Sequence, residues 1–210
     1  MNKNIILIIS LIFFLILSHV LFGYFQLGDD TYIYLQYAKN ILHYDEISFN
    51  HGIPSYGFTS PLWLGIIVLL SLPVGITLKI PTILSLFFAV LTVIVWMLIL
   101  KKHELKWAVL SFTLLIIITD PNLLKHSYLG MEATLSYFLS SIFIFFVTNE
   151  KTKSQYRILG MILGLYFLVR PESVLIGVVY FFYLLIKRTP LRNHFQLITF
   201  SVLIALPWHF

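Results

Sequence analysis

Residues 5–30 read IILIISLIFFLILSHVLFGYFQLGDD, and the fold turns on how that stretch is placed. From Ile5 to Phe25 it holds no Asp, Glu, Lys or Arg. At 1.5 Å per residue this run matches the roughly 20 residues that a helix needs to span a bilayer. A secretory signal would carry a shorter apolar core ending in small residues at a cleavage site, and Ser18, His19, Val20 and Leu21 do not form one. The run therefore reads as a retained helix, and Asp29 and Asp30 stand where the chain leaves the membrane. Ionisable groups at such a boundary point to function, because charge beside hydrocarbon is costly.

The whole chain has the same character. Of its 210 residues 59% are hydrophobic and 11% charged, whereas soluble domains carry about half and about a quarter. Cysteine is absent, which excludes disulfides, thiolate catalysis and iron–sulfur ligation. The net charge of +5 is spread over short clusters between apolar runs rather than along one stripe, so no nucleic-acid partner is expected.

Those clusters instead predict topology. Lys3, then Lys101, Lys102 and Lys106, then Lys151, Lys153 and Arg157, then Lys187, Arg188 and Arg192 alternate with apolar stretches, and the positive-inside rule places all four in the cytoplasm. Asp29, Asp30, Asp45, Glu46, Asp120, Glu132 and Glu172 then fall outside, leaving Glu104 and Glu150 inside. The expected architecture is all-α, a polytopic transmembrane helical bundle in one module. Residues 5–25 form the first helix, 26–79 an outer loop with interfacial helices, and 80–206 the remaining helices. Spans are expected at Ile80–Leu100, from Trp107 outward, and at Ala133–Val147, Ile158–Val169, Ser173–Ile186 and Phe195–Leu206. Pro61–Leu72 is short and bounded by Pro61 and Pro73, so it is expected to lie in the outer interface or dip partly into the bilayer. Gly160 and Gly164 make a GxxxG pair, which predicts close helix packing and, as the lesser alternative, dimerisation. The chain stops at Phe210 in an apolar segment, which suggests a truncated module.

Three elements on the outer side carry ionisable residues beside apolar runs. In Gly28-Asp29-Asp30-Thr31-Tyr32 either aspartate can cap the helix expected from Thr31 to His43, but a cap needs only one of them. In Leu129-Gly130-Met131-Glu132-Ala133-Thr134 the carboxylate of Glu132 can simply answer a helix dipole. In Val169-Arg170-Pro171-Glu172 the guanidinium of Arg170 can snorkel to headgroups. Together, two acidic arms and one guanidinium suit phosphate-linked chemistry. A carboxylate takes a proton from a hydroxyl or holds a divalent metal, and a guanidinium neutralises a departing phosphate. Aromatic residues of the first loop, among them Tyr32, Tyr34, Tyr37, Tyr44, Tyr56 and Trp63, can stack on a sugar or anchor at the interface. His43 and His51 lack a metal-ligand spacing, while Lys125 and His126 can contact a phosphate or a headgroup. No phosphate loop, dinucleotide fingerprint or HExxH pair is present.

With those residues in view, the chain resembles the GT-C superfamily of integral membrane glycosyltransferases. The resemblance rests on Asp29-Asp30-Thr31-Tyr32 followed by Tyr34-Leu35-Gln36-Tyr37-Ala38, on Tyr56-Gly57-Phe58-Thr59-Ser60-Pro61-Leu62-Trp63, on Gly130-Met131-Glu132 and on Arg170-Pro171-Glu172. The order is similar to the branch with the mycobacterial terminal arabinofuranosyltransferases, and more distantly to the aminoarabinose transferases of lipid A and the protein O-mannosyltransferases. The resemblance implies a polyprenyl-phosphate-linked sugar as donor, a hydroxyl of a cell-envelope glycan, lipid or protein as acceptor, and inverting transfer at the outer face of the cell membrane. By position Asp29 matches the base or metal ligand and Asp30 its acidic neighbour. Glu132 matches the second acidic position and Arg170 the donor-phosphate contact, while Tyr32, Tyr56, Thr59, Ser60 and Trp63 are further candidates for substrate contact. A divalent metal on Asp29, Asp30 and Glu132 is the one cofactor implied. The family's further C-terminal helices and outer domain are missing from the sequence. A transporter or flippase of lipid-linked intermediates, and a noncatalytic membrane partner of the same fold, are the rival readings.

Overall fold

The computed structural model describes residues 3–23, 27–102, 107–149 and 153–208. The expected exit of the first run at Phe25 and Gln26, and the positions Glu104, Lys106, Glu150, Lys151 and Phe210, lie outside the described residues. Among the described residues ten α-helices follow one another: α1 (Lys3–Phe22), α2 (Asp29–Tyr44), α3 (Pro61–Val74), α4 (Lys79–Lys102), α5 (Trp107–Ile118), α6 (Pro121–Leu129), α7 (Ala133–Thr148), α8 (Lys153–Phe167), α9 (Val174–Ile186) and α10 (Leu191–Ala205). Short 3-10 turns precede α9 at Pro171–Ser173 and follow α10 at Leu206–Trp208.

The fold is all-α apart from a small hairpin in the first long loop, where β1 (Ser48–Asn50) pairs antiparallel with β2 (Ile53–Pro54). That hairpin was not foreseen. A strand of two or three residues is too short to show a period, and Gly52, with φ at 79°, supplies the turn.

Among the described residues two helices are long and apolar enough to cross a membrane, Ile5–Phe22 within α1 and Lys79–Lys102. A third candidate is broken. Val109–Ile118 and Pro121–Leu129 meet at a bend of 42°, where Thr119 and Asp120 separate them. Asp120 causes the second helix to start there, since its carboxylate accepts from the Leu123 N–H at 2.7 Å and Pro121 occupies the first turn. Pro61–Val74, Ala133–Thr148 and Pro171–Ile186 are apolar but shorter.

The chain divides into two compact units. The first comprises residues 1–58 and 63–138. Its core gathers Phe14 of α1, Ala89, Val93 and Met97 of α4, Leu110 and Leu114 of α5, and Leu123 and Leu124 of α6. The second comprises 59–62 and 139–210, and its core holds Phe143, Leu159, Leu163, Tyr180, Leu184 and Leu197. There α8 lies against α10 through Gly160 and Gly164: a Cβ on Gly160 would run into the Leu197 carbonyl, and one on Gly164 would lie 2.6 Å from that of Ser201. The GxxxG pair is therefore used for packing within the chain.

Candidate functional site

Helix α2 follows the expected stretch closely. Thr31, Tyr34, Leu35 and Ala38 recur at helical spacing and are buried, whereas Asp29, Asp30 and Tyr32 are exposed. The capping role weighed for the aspartates is not taken up. The N-cap residue is Gly28, which makes no side-chain cap bond, and both aspartates sit inside the first turn. There the helix dipole favours them while their carboxylates remain open to solvent.

Within the first unit the Asp29–Asp30 segment and the Glu132 segment are clasped together. The Gly28 N–H donates to the Leu129 carbonyl at 2.9 Å, and the Thr31 hydroxyl donates to the same oxygen at 2.8 Å. From α4 the Ser85 hydroxyl donates to the Met131 carbonyl at 3.2 Å. Gly130 sits at the centre with φ at 74°, closing α6. A Cβ on it would lie 2.9 Å from Thr31 Cγ2, 3.1 Å from Leu27 and 3.2 Å from Pro81. No larger residue fits, which explains the glycine that the motif contains. Glu132, two residues on, is 2% exposed, with its carbonyl accepting from the Ser136 N–H at the start of α7. The two acidic arms thus differ in environment, one wet and one buried.

A second clasp lies in the second unit. The Leu62 N–H donates to the Leu168 carbonyl at 3.2 Å and the Ser60 hydroxyl reaches the same oxygen at 3.5 Å. This joins Thr59-Ser60-Pro61 to the turn that carries Arg170. The Arg170 N–H donates to Tyr166 O at 2.9 Å, ending α8, and its own carbonyl accepts from Ser173 at 2.9 Å. Arg170 is half-buried and Glu172 exposed. Four motifs scattered along the sequence are therefore two spatial pairs.

The expected substrate contacts separate. Tyr32 and Tyr56 are 48% and 74% exposed, and Thr59 is also exposed. Ser60 is buried and spends its hydroxyl on Leu168. Trp63, expected as a sugar platform or interface anchor, is fully buried with its ring 6.2 Å from that of Phe88. This corrects the assignment for Trp63, whose ring packs the core because it begins the apolar face of α3 with Leu64 and Ile67. Lys125 and His43 are exposed, and the His126 ring lies 6.3 Å from that of Tyr137.

The loop between α2 and α3 is held by side chains to which the sequence assigned no such structural role. Asn40 is buried, and its amide donates to the Ser48 and Phe49 carbonyls at 2.9 and 3.0 Å. The Tyr37 hydroxyl accepts from the Gly57 N–H at 2.8 Å and shares a proton with Ser55 at 3.0 Å. At the hairpin, Glu46 accepts from the Gly52 N–H at 2.9 Å and from His51 Nδ1 at 3.2 Å, and the His51 ring stacks on Tyr44 at 4.0 Å. The Gly52 N–H holds the Glu46 carboxyl below its ordinary value against the desolvation that opposes it, with the His51 charge and then the His51 and Ser48 hydrogen bonds adding to the lowering.

Among the described residues no three His, Asp or Glu side chains are grouped to hold a metal ion. Asp29 and Asp30 point to solvent while Glu132 is buried, so the three do not fit a shared metal even though their backbone segments touch. Comparison of the chain with models of known protein families, with curated proteins and with solved structures returned no match.

Proposed function

We propose that the chain is the membrane module of a glycosyltransferase that moves a sugar from a polyprenyl-phosphate donor to an acceptor hydroxyl at the outer face of the cell membrane. The single observation that carries this reading is the clasp in the first unit, which joins the segments of exposed Asp29 and buried Glu132 around Gly130, close to Pro81 in the first turn of a helix able to cross a bilayer. Carboxylates held rigidly at headgroup level are placed where a lipid-borne reacting centre lies. The multi-pass topology, the cytoplasmic N-terminus and the outer location belong to the same proposal, and they rest on the segregation of acids from bases along the sequence.

In this mechanism the Asp29 carboxylate takes the proton of the acceptor hydroxyl as its oxygen attacks the anomeric carbon. The bond between that carbon and the phosphate oxygen breaks, and the electron pair leaves with the polyprenyl phosphate. The charge on that phosphate suits a guanidinium, which meets it in bidentate fashion, and Arg170 of the second unit is the residue that the family resemblance matches to that role. Asp30 adds negative potential beside the base.

Asp29→Asn in the full-length protein, supplied with a polyprenyl-phosphate sugar and a hydroxyl acceptor, is expected to lower transfer by about a hundredfold or more, the usual loss when a general base is removed. Undiminished transfer would overturn the reading. Labelled lipid crossing vesicles unchanged in mass, with no gain on the acceptor, would put a transporter in its place.

A further inference from the structure

In the first unit the end of α1, the start of α2, the start of α4 and the end of α6 enclose a groove of about 470 Å³. Its polar lining is Lys79, Tyr32, Thr82 and Tyr128. Lys79 is exposed and is the one cation among the lining residues; among the described residues it makes no ion pair. The Tyr128 hydroxyl lies 3.4 Å from His19 Nδ1, and with that nitrogen protonated it accepts from the imidazole and keeps its own proton to donate, while the Thr82 hydroxyl is turned back onto the Leu78 carbonyl at 3.2 Å. A lysine and two phenol groups at the positive end of a 24-residue helix suit a phosphate.

Two further features choose among phosphates. Lys79 is the first residue of a helix apolar enough to cross a membrane, and the residues one and two turns into it, Ile83 and Phe87, are 65% and 52% exposed. A free ion gains nothing from that apolar stripe, whereas an acyl chain buries against it. Asp29, one turn before Tyr32 on the same face of α2, places negative charge near the groove. That charge disfavours a dianionic phosphomonoester and leaves a singly charged phosphodiester as the better guest.

We propose that this groove seats the phosphodiester of a singly anionic membrane phospholipid, with Lys79 on the phosphate, Tyr32 and Tyr128 donating to its oxygens and an acyl chain along Ile83 and Phe87. The inference rests on the membrane placement proposed above and not on the transfer reaction, since binding is read without turnover.

The test is native mass spectrometry of the full chain in detergent, offered phosphatidylglycerol, phosphatidic acid or phosphatidylcholine at equal concentrations. The wild-type protein is expected to retain phosphatidylglycerol over phosphatidylcholine, and phosphatidic acid no better than phosphatidylglycerol. Lys79→Gln should lower phosphatidylglycerol retention about fivefold, the effect of one interfacial lysine, and Lys79→Arg should restore it. Equal retention by Lys79→Gln, preference for phosphatidic acid, or displacement of the lipid by millimolar inorganic phosphate would each overturn the proposal, the last by identifying a free-phosphate site. Lys79 is exposed, so an unchanged circular dichroism spectrum of the variant keeps a binding loss from being read as unfolding. Phosphatidylglycerol retained by a protein whose Asp29→Asn variant still transfers sugar would sink the catalytic reading and leave this one standing.

Discussion

Glu46 shows how one side chain can set a local structure whose pH dependence is open to measurement. Its carboxylate gathers the Gly52 N–H, His51 Nδ1 and the Ser48 hydroxyl, so the ionised form is the one the hairpin binds. A carboxyl held below its ordinary value contributes stability that is present above the unfolded pKa and lost as pH falls through the folded one. The Gly52 amide proton should therefore keep its hydrogen-bonded chemical shift as pH passes the ordinary glutamate value near ~4.3, and lose it only below. An amide shift that titrates at or above that value, or that is unaltered in Glu46→Gln, would show that the carboxylate does not hold the turn. Residue by residue, the sequence was legible where chemistry is local. Asp29, Asp30, Glu132 and Arg170 stand out because charge beside an apolar run is conspicuous. The partners that fix them do not. Thr31 reaches a carbonyl 98 residues away, and nothing near Thr31 announces Leu129. Asn40 reads as an ordinary polar member of α2 and Tyr37 as an aromatic for a sugar or the interface, although their place on the face of Tyr34 and Ala38 was a usable sign that they are buried.

Among the elements, the pairing of α8 with α10 is the contact that sequence spacing foretold without naming the partner helix. Small residues four apart predict a close neighbour, and the choice between another part of the chain and a second copy is made by Leu197 and Ser201, whose carbonyls occupy the glycine face. Gly164→Leu is expected to destabilise the protein by about 1–3 kcal/mol, the usual cost of overpacking, because a Cβ there already lies 2.6 Å from Ser201 O and 2.7 Å from Ile204. Gly177→Ala is the control, since its nearest neighbour would stand 3.7 Å away in ordinary contact. Thermal unfolding in detergent should show a lowered midpoint for the first and none for the second, with the oligomeric state the same in both. A Gly164→Leu protein of unchanged midpoint that loses a dimer would return the pair to intermolecular use. Element boundaries were otherwise legible to within a turn or so wherever a proline or charge marked them, as at Asp120-Pro121 and Arg170-Pro171. They were less so at α8, which begins at Lys153 rather than Ile158 because the polar turn Lys153–Arg157 continues the same helix.

For the molecule in its membrane, the open question in the sequence is whether the apolar stretch after Pro61 crosses. Helix α3 has 14 residues, so it reaches about 21 Å, short of a hydrocarbon core roughly 30 Å thick. The geometry of the first unit argues the same way on separate grounds. Gly23, directly after α1, and Lys79, the first residue of α4, line one groove. The end of α1 and the start of α4 are therefore at one level, and if both helices cross the membrane, the chain between them makes an even number of crossings. With α2 amphipathic and the hairpin polar, that number is zero. The absence of native cysteine makes this testable without background. Single cysteines at Asn50, Thr77 and Lys102, all exposed, are expected to react with an impermeant maleimide from two sides only: Asn50→Cys and Thr77→Cys from the outside of intact cells, and Lys102→Cys only after the membrane is opened. Labelling of Asn50→Cys and Thr77→Cys from opposite sides would mean that α3 spans. The end of α1 and the start of α4 could then not share a level, and the clasp that holds Asp29 beside Glu132 would be lost with it.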